Sequence, residues 1–166
     1  MASLQNRRRA ILIAGIICVV GALAGFAGLR YLAPANSAGK PEIYTGLVDG
    51  VGAGGYDVVA YFTDNKAEKG DPAITATWKG ATWRFVSAAN RDLFNADPDR
   101  YTPQFGGYCA YAVAQGGTAK GDPEQWTVVN DKLYLNYDAG VKQRWEKDRA
   151  NYITKAEENW PKVIEK

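Results

Sequence analysis

The chain has no histidine, a single methionine at its first position and only two cysteines, Cys18 and Cys109. A four-coordinate zinc site draws on Cys and His, blue copper on two His and a Cys, and non-haem iron on His with a carboxylate, so one copy of this chain supplies none of them. The commonest general base is missing too, which removes Ser-His-Asp and Cys-His catalysis. No metal and no cofactor is expected, and any catalysis would have to run on carboxylates, Lys, Tyr or Cys109. Basic runs are equally scarce. Beyond Arg7, Arg8 and Arg9 the charges are mixed in sign and nearly balanced, without the basic stripe that DNA or RNA requires. Nucleic acid is not an expected partner.

What is present describes a globular protein: 166 residues, 46% hydrophobic, 12% aromatic and 23% charged. Ala10 to Leu29 carries no charge, and at 1.5 Å rise per residue it makes roughly 30 Å of helix, the thickness of a bilayer's hydrocarbon core. The arginine triplet precedes it and only Arg30 follows, so the positive-inside rule places the amino terminus in the cytoplasm and the remainder outside. The organisation expected is a basic cytoplasmic tail (1–9), a transmembrane signal anchor (10–30), a linker (31–45) and an extracytoplasmic domain (46–166). In a bacterium this is a single-pass inner-membrane protein with a periplasmic domain. A cleaved signal peptide is the alternative, since Ala33-Pro34-Ala35 has a small-x-small pattern, although signal-peptide cores usually run about 7 to 15 residues. Arg8 and Arg9 leave twin-arginine export open beside the general route. Gly21, Gly25 and Gly28 would let a partner helix approach closely, so lipid and a membrane protein are the expected partners.

The outer part reads as α+β. Tyr56 to Phe62, after a glycine-dense loop, is β-branched and aromatic enough for a first strand. That loop lacks the G-x-x-x-x-G-K-[ST] sequence of a nucleotide site. Ile74–Trp78 and Thr82–Val86 alternate around Lys79-Gly80-Ala81 as a hairpin, and Trp126–Val129 with Lys132–Asn136 make a second, turning at Asn130-Asp131. Ser87 caps a helix over Ala88–Asn95, and Asp97-Pro98 starts another. Cys109 stands at or near the start of a short helix closed by Gly116-Gly117. Asp138 caps a long amphipathic helix from Ala139 to Asn159, with Val141, Trp145, Tyr152 and Ala156 on one face and Trp160-Pro161 ending it. No internal repeat is long enough to imply a solenoid. The fold class is therefore one transmembrane helix followed by a small domain of short antiparallel hairpins packed against helices, with a long C-terminal amphipathic helix.

Several of these segments together resemble the YHS-domain family: Gly55 to Phe62, Trp78 to Ser87, and Phe94 to Tyr101. Pro103 to Ala110, with Trp126 and Lys132 to Asn136 downstream, is similar to a longer exported branch of that family whose members include selenoproteins. The resemblance covers roughly Val48 to Lys162 and implies a small α+β domain. Short YHS domains are associated with heavy-metal binding through Cys and His. Here the histidine place is Lys79 and the cysteine places are Val86 and Asn90, so that ligand set does not carry over. Cys109 matches the place of selenocysteine in some relatives.

Cys109 is the candidate thiol: a helix start would lower its pKa, and Gly106 and Gly107 would admit a substrate. Burial among Phe105, Tyr108 and Tyr111 is the alternative, because free cysteine packs as a small hydrophobe. Gly106, Gly107, Tyr108, Cys109 and Tyr111 form the candidate partner- or ligand-binding set. The paired acids Asp97/Asp99 and Glu157/Glu158 read as caps and solvated charge. The favoured function is non-enzymatic, a membrane-anchored binding or accessory subunit of a larger membrane complex. A thiol redox or thiol-ligand protein using Cys109 is the alternative.

Overall fold

The computed structural model describes residues 39–166. Two hairpins dominate. β1 (Asp71–Trp78) pairs antiparallel with β2 (Ala81–Phe85), and β3 (Asp122–Val129) with β4 (Lys132–Asn136). Around them lie α1 (Ala60–Thr63), α2 (Ala88–Ala96), α3 (Pro98–Tyr101), α4 (Ala110–Ala114), α5 (Ala139–Glu146) and α6 (Arg149–Ile164). Ser87 accepts the Asn90 N–H and Asp97 the Arg100 N–H, so both helix starts expected in this stretch are capped by side chains.

The hairpin–helix unit occurs twice. Lys69-Gly70-Asp71-Pro72 opens β1 and Lys120-Gly121-Asp122-Pro123 opens β3. In the first hairpin Asp71 faces Phe85, and the register then slips before Thr75 meets Arg84. In the second Asp122 faces Asn136, with the same slip before Trp126 meets Leu135. Each unit begins with a 3-10 turn, Gly52–Gly55 or Gln104–Gly107, whose last three residues have positive φ. The angles run 47°, 59° and 83° at Ala53, Gly54 and Gly55, and 55°, 60° and 84° at Phe105, Gly106 and Gly107. A Tyr follows each turn and bridges to the Lys of its own repeat, Tyr56 to Lys69 and Tyr108 to Lys120. The helix after each hairpin is capped by Ser87 or Asp138 and buries one aromatic ring, Phe94 or Trp145. Two copies do not make a solenoid; they make one duplicated domain.

Each copy has its own core. Trp83, Phe85 and Phe94 stack at 5.1–5.5 Å in the first. In the second, Tyr134 and Trp145 pack with Val113, Ala156 and Val163. Burying side chains of this size contributes about 1.5–3 kcal/mol each. Tyr61, Leu133 and Leu135 join the copies, and the Tyr61 hydroxyl donates to the Pro123 carbonyl at 3.0 Å.

Several expectations are corrected. No helix among the described residues is long and apolar enough to cross a membrane, so the transmembrane helix of the expected fold class is absent from the described fold. Ala10–Arg30, on which it was placed, lie outside those residues, as do Gly21, Gly25 and Gly28. Tyr56 to Phe62 is a turn leading into α1 and not a strand, because the Asp57 side chain accepts the N–H groups of Val59 and Ala60 and starts a helix there. The C-terminal helix is two: Asp148 takes φ −150° and ψ 46° between α5 and α6. There Glu146-Lys147-Asp148-Arg149 offers no apolar side chain to hold a continuous face to the core. Pro161 does not end α6, which runs on to Ile164 because Val163 is buried and its carbonyl accepts Lys40 Nζ at 3.4 Å. Ahead of residue 46, Ile43 is buried and the Tyr44 N–H donates to the Gly106 carbonyl at 2.9 Å.

Candidate functional site

Superposing the repeats by their shared motifs sets Asp57 opposite Cys109, each the residue after the Tyr that closes the 3-10 turn. Asp57 is fully buried and accepts four hydrogen bonds. Oδ1 takes the N–H groups of Val59 (2.8 Å) and Ala60 (3.3 Å), and Oδ2 takes the Val86 N–H (2.9 Å) and the Asn90 amide (2.8 Å). Val86 and Asn90 are the two cysteine places of the resemblance, and the fold does bring them together, around a carboxylate. Lys79, the histidine place, lies elsewhere.

Cys109 is 1% exposed. Its thiol donates to Asn136 Oδ1 at 3.8 Å, and the same oxygen accepts the Tyr111 N–H at 3.3 Å. Asn136 is itself fully buried, and its Nδ2 has no hydrogen-bond partner. Burial pushes the Cys109 thiol up from its ordinary value, against the pull of the backbone N–H groups of Ala112, Tyr137 and Tyr111, which face the sulfur. At neutral pH the group is a neutral thiol, closed to bulky reagents.

The glycines beside it do not open a path. Gly106 presses against the Glu42 carbonyl so closely that a Cβ would collide with it, and φ of 60° adds strain for any other residue. Gly107 is buried, and the Tyr108 hydroxyl donates to the Pro41 carbonyl at 3.0 Å. Tyr111 is half-buried, edge-on to Tyr152 at 5.1 Å. Of the five residues in the candidate set, four are therefore buried and Tyr111 packs at the margin of the second core.

Two cavities are accessible: a shallow one of about 510 Å³ beside Gln125, Lys142 and Glu146, and a more enclosed one of about 270 Å³ between the repeats. Glu42, Lys79, Asp99, Thr102, Phe105 and Trp160 line the latter. Lys79 Nζ lies 2.7 Å from Glu42 Oε1 and 3.4 Å from Asp99 Oδ1, and the Glu42 hydrogen bond holds its ammonium charged. Two acids against one base leave the mouth net negative. Lys79 itself sits in the hairpin turn at φ 47°.

No family model, curated protein or solved structure matches this chain. The site is therefore read from its own geometry. Sequence reasoning missed Asp57 and Asn136, the two buried polar groups that shape it. The signals that point to them are Gly-Gly-Tyr, which precedes both Asp57 and Cys109, and the recurrence of Lys-Gly-Asp-Pro, which sets Asn136 opposite Phe85.

Proposed function

We propose that the chain is a binding module, a YHS-like accessory domain that holds a basic segment of a partner protein in the cavity between its two repeats. The observation that supports this reading is the cavity itself, negative at its mouth and backed by Phe105 and Trp160. Its volume of about 270 Å³ falls below that of drug-sized pockets and suits one anchoring side chain. An arginine meets both features, because its guanidinium stacks on aromatic rings and pairs with carboxylates. Anchors of this kind dominate the energetics of protein interfaces. The apolar run and preceding arginines of the amino-terminal sequence support an exported, periplasmic location for the domain.

The test is affinity purification of the full chain from mild detergent. A stoichiometric partner is expected with the native chain, and its loss is expected with Asp99→Lys, a reversal at an exposed side chain that leaves the fold intact by circular dichroism. Recovery of the native chain as a lone monomer, or retention of the partner by Asp99→Lys, contradicts the reading.

A further inference from the structure

The two equivalent seats are built alike and filled differently. In the first repeat three backbone N–H groups and one asparagine amide converge on the two oxygens of Asp57. In the second, the Tyr111 N–H, counterpart of that of Val59, donates at 3.3 Å to Asn136 Oδ1, which also accepts from the Cys109 thiol, and the N–H groups of Ala112 and Tyr137, counterparts of those of Ala60 and Val86, oppose the effect of burial on the sulfur. An asparagine amide is again beside it, that of Asn136, reached from a different position in the chain. The backbone donors occupy equivalent positions, yet in the second repeat they surround a neutral thiol to which Asn136 presents its acceptor oxygen. Asn136 Nδ2 is fully buried without a partner, a condition that is unfavourable for a polar group. The seat therefore holds a spare donor that an anion would satisfy.

We propose that Cys109 is a site of oxidative modification by hydrogen peroxide, and that its sulfinate occupies the seat that the Asp57 carboxylate fills in the first repeat. A cysteine sulfinate has the branching of an aspartate side chain, with sulfur in place of Cγ and two oxygens in place of Oδ1 and Oδ2. A half-turn of the Asn136 amide would then present Nδ2 to the anion and withdraw Oδ1, which now accepts from the thiol.

The chemistry takes two equivalents of peroxide. In the first step the sulfur, as thiolate, attacks one peroxide oxygen. An S–O bond forms, the O–O bond breaks, sulfur gives up two electrons, and the departing hydroxide takes up the thiol proton as water. In the second step the sulfenate sulfur repeats this on another peroxide, releasing a second water, and the sulfinic acid proton passes to solvent. Burial favours this course over disulfide exchange. Peroxide is little larger than water, whereas a protein or glutathione thiol cannot reach a sulfur that is 1% exposed. A sulfenate that meets no thiol goes on to sulfinate. Tyr137, next to the buried Asn136, is itself 43% exposed, so the site lies on an element that reaches the surface. The reaction is slow because the thiol is held neutral, and the product is retained because the seat fits it. This inference is independent of the partner-binding reading.

The experiment exposes the full native chain to hydrogen peroxide and follows intact mass, then maps the modified peptide. A gain of about 32 Da is expected, located at Cys109, with near-ultraviolet circular dichroism preserved and the melting temperature raised. No gain at Cys109 while the protein is folded, arrest at one oxygen, a disulfide to Cys18, or unfolding on oxidation overturns the proposal. Cys109→Asp tests the seat without oxidant. At pH 7 it should melt above Cys109→Ser, with the difference shrinking as pH falls toward the carboxyl range. A variant that fails to fold, or that melts below Cys109→Ser at pH 7, overturns it equally.

Discussion

Replacing Asp57 with alanine removes the acceptor of four hydrogen bonds from a site with no exposure to solvent. Two of the donors, the Val59 and Ala60 N–H groups, are in fully buried residues. Each buried donor left unsatisfied costs about 1–3 kcal/mol, so the two together cost about 2–6 kcal/mol before the Val86 N–H and the Asn90 amide are counted. Domains of this size are stable by about 5–15 kcal/mol, so the loss is a large part of the total. Asp57→Asn keeps one oxygen for Val59 and Ala60 but sets an NH₂ group against the Val86 N–H and the Asn90 amide, and its effect should be intermediate. Urea denaturation followed by tryptophan fluorescence measures both. The midpoint should fall in the order native, Asn, Ala, with an unchanged slope. A loss below about 1 kcal/mol for Asp57→Ala would refute the reasoning, because the donors would then have found other partners and the seat would not be tied to an acid.

Other outcomes follow from the same packing. Trp145→Ala should cost about 3–5 kcal/mol by urea denaturation, as expected for a large aromatic ring removed from a core where it has no exposure. Tyr61→Phe should cost about 0.5–1.5 kcal/mol in the same assay, by deleting the hydroxyl bond to Pro123 that ties the repeats together. Gly106→Ala should destabilise more than Gly50→Ala. Both glycines have positive φ, but only Gly106 has a carbonyl in the way, and equal melting temperatures would contradict the close approach of Glu42. Tyr56 is pushed up to about 12 by its hydrogen bond to Glu124, and Tyr134 to about 12 by burial. Since the folded values lie above the unfolded value of about 10, their contribution is complete below pH 10 and is lost as pH rises toward 12. Stability should decline across that window, and Tyr56→Phe should reduce the decline.

Much of the fold is legible in the residues themselves. Alternation of Ile74, Ala76 and Trp78 with threonines, and turn residues at Lys79-Gly80 and Asn130-Asp131, mark both hairpins, which form where those signals lie. Ser87, Asp97 and Asp138 mark helix starts, and each caps one. Tyr56 to Phe62 misleads because β-branched and aromatic side chains suit a buried helix as well as a strand. The deciding interaction, Asp57 to the N–H groups two and three residues on, leaves no mark in hydrophobic periodicity. The duplication is hidden because its copies share backbone requirements more than side chains. Glycines with positive φ and the Lys-Gly-Asp-Pro opening persist, while Asp57 is matched by Cys109 and Phe85 by Asn136. Burial of Cys109 among aromatics is readable from composition. That its surroundings form a ring of donors is not, since those donors are mainly backbone and are set by the turn geometry of residues 104–112 and 136–138.

The correspondence of the two seats is tested most directly by a crystal structure of the Cys109→Asp variant. The account predicts a buried carboxylate accepting the N–H groups of Tyr111, Ala112 and Tyr137, with the Asn136 amide turned to donate the fourth bond. An aspartate swung out to solvent, with Asn136 Nδ2 still unpartnered, would contradict it.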